Sequence, residues 1–82
     1  MTIQELQSLI DSGEFHHATD KPANGLWSGL HIYRRAENGF NGFEHAGVFS
    51  SRADLGGNID DYNAAYQLVR ASGVSVGAYG RG

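Results

Sequence analysis

The spacing of apolar residues changes several times along this chain, and that alternation restricts the fold more than any other feature. Ile3, Leu6, Leu9 and Ile10 recur at helical spacing and form one buried stripe. Thr2 and Glu5, three residues apart, have the spacing of a capping box, in which each side chain satisfies the other's free backbone amide. Gly13 suits the left-handed conformation that ends such a helix. These signals predict a helix over about residues 3–12.

Beyond it the periodicity lapses. Asp20, Pro22, Asn24 and Gly25 supply the turn chemistry of a loop. Within Glu14 to Gly25, Phe15 to Thr19 can also pair as a short edge strand. Leu26 to Arg35 and Phe40 to Ser50 then read as strands over about residues 26–35 and 40–50. The dipeptides Asn38-Gly39 and Asn41-Gly42 accept positive φ at little cost, which joins the strands as a β-hairpin.

Helical spacing returns at Tyr62, Ala65, Tyr66 and Val69. Asn58 stands as an N-cap, and Asp60 and Asp61 lie where negative charge meets free helix amides. This predicts a helix over about residues 59–71, ended by Gly73. Val74, Val76 and Ala78 alternate with Ser75, Gly77 and Tyr79, a last strand over about residues 74–79.

The order is thus α-β-β-α-β, an α+β fold in one small domain spanning 1–82. A helical crossover makes the third strand run in the same direction as the second. Placing it beside the first strand gives a three-stranded antiparallel sheet of order 2-1-3, with the helices packed on one face. At 82 residues the chain has room for one core, burying about 60–65% of its unfolded surface. With 40% hydrophobic and 18% charged residues it lies outside the composition of disordered chains.

Charge and composition also bear on function. Nine acidic and six basic side chains are scattered without a run of either sign, for a net charge of −3. Nucleic acid and anionic membranes call for clustered Lys and Arg, so neither is the expected partner. The absence of cysteine excludes disulfides, thiolate zinc sites and cysteine nucleophiles. The first residues lack a basic, apolar leader and no segment approaches a membrane span, so a cytoplasmic protein is expected.

The strand faces carry the functional signal. Leu26, Leu30 and Ile32 share one face of the first strand, and Trp27, His31 and Tyr33 the other. On the second strand Ala46 and Val48 oppose Phe43, His45 and Phe49. The aliphatic set seats the helices. The second face, normally polar in such a sheet, carries Trp27, Tyr33, Phe43, Phe49 and Tyr79. Aromatics and Arg dominate protein interfaces, so these residues, with Arg34 and Arg35 at the rim, are the candidate partner-binding set. The same aromatics would equally fill a small core or close a homodimer.

His31 and His45 fall on one face of paired strands and are the candidate metal ligands, with Asp20 or Glu44 as extra carboxylates. His16 and His17, adjacent on an extended segment, are expected to point oppositely. A Ser-His-Asp set drawn from Ser28 or Ser50 with His31, His45 and Asp20 lacks any nucleophile elbow. Gly56-Gly57 before a helix lacks the Lys-Ser/Thr of a phosphate loop. No catalytic residue, cofactor or resident metal is therefore assigned. The expectation is a small non-enzymatic protein that occupies a surface of a larger protein or complex as an inhibitor or adaptor. In size and lack of catalytic motifs it parallels phage-encoded anti-defence proteins such as anti-CRISPR proteins. A histidine-based metal protein or small hydrolase, or a homo-oligomeric structural subunit, is the alternative.

Overall fold

The computed structural model describes residues 1–21, 29–38, 40–74 and 76–78. Helix α1 spans Ile3–Asp11, and its start is the expected capping box: the Glu5 amide donates to Thr2 Oγ1, and the Thr2 amide donates to Glu5 Oε1 at 2.9 Å. Helix α2 spans Ile59–Ala71, and Asn58 Oδ1 accepts from the amides of Asp60 and Asp61. Gly13 and Gly73 follow the two helices with φ of 78° and 83°.

Four strands form one mixed sheet: β1 (Phe15–Lys21), β2 (Gly29–Arg35), β3 (Phe43–Phe49) and β4 (Val76–Ala78), in the order β3-β2-β1-β4. β2 is antiparallel to both neighbours, and β4 is parallel to β1. The expected three-stranded order is thereby corrected. The segment read as an edge strand is central, inserted between the hairpin β2-β3 and the last strand. The directions survive, since β3 and β4 run the same way and α2 carries the chain from one sheet edge to the other. Residues 22–28, 75 and 79, which the expected strands and loop included, lie outside the described residues. The turn before β3 places Asn41 at φ 59° and Gly42 at φ 86°, as the dipeptide predicts, and Ala36 closes it by donating to the Gly42 carbonyl at 3.0 Å.

The core lies between the helices and one sheet face. Leu6 and Leu9 of α1 and Ala65 and Val69 of α2 meet Phe15, Ala18, Leu30, Ile32 and Phe49 from three strands. Tyr62 crosses this layer to donate its hydroxyl to both carboxylate oxygens of Asp20, at 3.0 and 3.1 Å. Two glycines are required by close backbone approach. A Cβ on Gly29, whose φ is +136°, would stand 2.6 Å from the Phe49 carbonyl oxygen, and one on Gly57 would collide with the backbone of Ser50. The packing against Ser50 explains Gly57 without any anion cradle.

Two β-bulges control which residues share a face. One lies between Phe15 and His17 against β2, the other between Ile32 and Tyr33 against β3. Each inserts a residue and inverts the alternation beyond it. Among the described residues no helix is long and apolar enough to cross a membrane.

Candidate functional site

The sheet face opposite the helices is built from cross-strand pairs. His17 stands opposite Tyr33 and Thr19 opposite His31 on β1-β2, while Tyr33 stands opposite His45, Arg35 opposite Phe43 and His31 opposite Val48 on β2-β3. Directly paired residues in an antiparallel ladder share a face. Tyr33, Phe43, His31 and His45 therefore sit together, as alternation along each strand predicts.

The bulge in β1 adds the remaining histidines. His16 and His17 point to the same side, with their Nδ1 atoms 2.8 Å apart. The expectation that adjacent histidines diverge is corrected here, because the inserted residue suspends strict alternation. The His17 ring stacks on Tyr33, with centroids 4.5 Å apart and planes 3° from parallel. Phe43 meets His16 at 4.8 Å and stands edge-on to His17 at 4.6 Å. Tyr33 also meets His45 edge-on at 5.4 Å. The result is a continuous layer of rings across three strands.

At its other side His31 Nδ1 lies 3.0 Å from His45 Nε2. His31 is 1% exposed, whereas His45 is exposed and Tyr33 and Phe43 are half-buried. Partial desolvation holds His45 below the usual imidazole range, with the charges of His31 and then Lys21 acting the same way. His17 is lowered by burial and then by His16. Neutral imidazole carries one donor and one acceptor nitrogen, so each N···N contact is satisfied by a single shared proton.

Not every expected contact residue belongs to this layer. Phe49 is 5% exposed and part of the helix-side core. The bulge near Ala46 is the cause: it turns Val48 to the ring face and Phe49 to the core, the reverse of uninterrupted alternation. Arg34 and Arg35 separate as well. Arg35 is exposed beside Phe43. Arg34 is registered against Phe15 and Glu44, and its Nε donates to Glu44 Oε1 at 2.7 Å on the helix side. Trp27, Tyr79 and Ser28 lie outside the described residues.

The carboxylates considered for the histidines are also on the helix side, Asp20 bound by Tyr62 and Glu44 by Arg34. Asp20 and the His31–His45 pair are thus separated by the sheet, which disperses the Ser-His-Asp set. Ser50 Oγ accepts from the Arg52 amide. Among the described residues, no group of three or more His, Asp or Glu side chains converges on one metal position.

Grooves lie elsewhere among the described residues. One of about 510 Å³ runs between α1 and β3, past Met1, Ser8, Arg34 and Ala46, and one of about 570 Å³ follows the helices past Ile3, Gln7, Gln67 and Leu68. The ring layer offers a broad surface, suited to contact with a macromolecule more than to enclosure of a small one. No family model matches the sequence, no curated protein matches it, and no solved structure matches its fold.

Proposed function

We propose that this is a non-enzymatic binding protein that acts by occupying a surface of a larger protein, as an inhibitor or adaptor, through the sheet face opposite its helices. The observation that carries this reading is the ring layer of His16, His17, Tyr33, Phe43 and His45, half-buried to exposed, on the face the helices leave uncovered. Rings locked against one another have already surrendered rotamer freedom, so their burial by a partner costs little further entropy. Arg35 at the rim adds a donor fork for backbone carbonyls or carboxylates of the partner. Arg34, committed to Glu44, is a lesser contributor.

The reading favours a protein over nucleic acid for an electrostatic reason. Stacked rings also suit single-stranded nucleic acid, but such platforms work beside a positive groove that follows the phosphates. A chain of net charge −3 with six basic residues supplies none of that excess.

Tyr33→Ala and Phe43→Ala test the proposal in the presence of the partner. Each should weaken binding by about 30-fold, the scale of an interface hot spot of about 2 kcal/mol, while the fold persists. Unfolding of both variants would make these rings structural and remove the proposal. A stable dimer in solution, dissociated by the same substitutions, would replace it with self-assembly through this face.

A further inference from the structure

The four histidines of the chain lie on three different strands, and the sheet gathers them on one face as two pairs with nitrogen to nitrogen distances of 2.8 and 3.0 Å. The pairs differ in construction. His16 and His17 are consecutive on a bulge and are wedged by Phe43. His31 and His45 come from two different strands, and His31 is the one buried polar side chain of the described core. Ligands seated on paired strands, one locked by packing and one open to solvent, combine preorganisation with access.

The His31–His45 distance also has chemical content. Metal to imidazole bonds of about 2.0–2.1 Å place two nitrogens about 2.9 Å apart at right angles and about 3.3 Å apart at the tetrahedral angle. The observed 3.0 Å, spanned in the metal-free chain by the shared proton, falls between these limits, and a metal ion would take that position once the proton moves to the other nitrogen of its ring or to solvent. The exposed His45 ring is the one free to adjust. Thr19, paired across the strands with His31, holds a buried hydroxyl oxygen without a hydrogen-bond partner among the described residues. Such an atom marks a place where an ordered water or ion belongs.

We propose that His31 Nδ1 and His45 Nε2 form a site for a divalent transition metal ion of the copper, nickel or zinc class, its remaining coordination positions open to water or an outside ligand. A metal-bound water on this face would give the Thr19 hydroxyl its partner. With only two protein nitrogens and Lys21 acting on His45, the site is one of modest affinity. Copper should bind most tightly, following the general order of divalent ions at nitrogen sites. The proposal does not depend on the protein-binding reading, since it concerns the isolated chain.

The test is titration of the purified protein with Cu²⁺, Ni²⁺ and Zn²⁺ by calorimetry, with electron paramagnetic resonance of the copper form. The double variant His16→Ala/His17→Ala removes the second pair and should still bind one equivalent, with two nitrogen ligands in the copper spectrum. Adding His45→Ala should cost more than about tenfold in affinity, at least the scale of losing an outer-shell partner. If that variant is unfolded, His45→Gln keeps a hydrogen-bonding group opposite His31 and should show the same loss. No binding by the double variant, or affinity unchanged on loss of His45 in a folded protein, overturns the site.

Discussion

Replacing Tyr62 by Phe isolates one interaction that ties α2 to the central strand. The Tyr62 hydroxyl donates to both oxygens of Asp20, 42 residues away in sequence, at 3.0 and 3.1 Å. Removal leaves ring volume intact, so the effect is that of the hydrogen bond alone. Bonds to charged groups contribute about 1.5–3 kcal/mol, and because both partners are half-buried, water replaces part of this, favouring about 1.5 kcal/mol. For a domain of this size that lowers Tm by about 6–12 °C.

The pH dependence of the same pair has a definite sign. Burial, followed by the hydrogen bond and charge of Asp20 and by Tyr66, pushes the Tyr62 phenol up from 10.0 to about 12. Between these values the folded protein holds a proton that the unfolded chain has released, so stability falls as pH rises. The contribution is whole below about pH 10 and gone by about pH 12. Thermal unfolding followed by far-ultraviolet circular dichroism should therefore show a constant gap between wild type and Tyr62→Phe from pH 7 to 9 that narrows from pH 10 to 12. Equal Tm values at pH 7, or a gap unchanged at pH 12, would refute the argument.

Further substitutions probe the rest of the fold. Phe49→Ala should cost about 3–5 kcal/mol in denaturant unfolding, because Phe49 is core, whereas Tyr33→Ala at the ring face should cost clearly less. Gly57→Ala forces a methyl group into the Ser50 backbone and should destabilise by about 1–3 kcal/mol, with protection of the Asn58 amide, which donates to the Ser50 carbonyl, falling first in hydrogen exchange. Thr2→Ala removes the Oγ1 that accepts from the Glu5 amide, while the backbone amide at position 2 still donates to Glu5, and should cost about 0.5–2 kcal/mol, read as a lower denaturation midpoint at unchanged slope.

Local signals made the helices legible. Thr2 with Glu5, and Asn58 with Asp60 and Asp61, satisfy amides within three residues of themselves, so their pattern is complete in the sequence. The β2-β3 hairpin was equally readable from its Asn-Gly turn and from alternation, which also brought His31 together with His45. What alternation cannot contain is a bulge, because a bulge is defined by the partner strand. In β1 the two fully core-facing apolar residues, Phe15 and Ala18, are three apart, so the segment lacked the period of two and its central place went unseen. The same bulge put His16 beside His17. The second bulge turned Phe49 inward and Val48 outward, although Phe43 and His45, before the irregularity, fell where alternation put them. The three-residue spacing of Phe15 and Ala18 around a histidine pair was the available sign of a strand with one inserted residue.

Affinity capture with tagged wild type, Tyr33→Ala and Arg35→Ala, read as the stoichiometry of retained protein and matched to the Tm of each variant, tests the central claim most directly. The account predicts one stoichiometric protein partner held by wild type and lost or strongly reduced in both variants at near wild-type stability. Retention of the same partner by folded Tyr33→Ala and Arg35→Ala would place the contact elsewhere and contradict the claim.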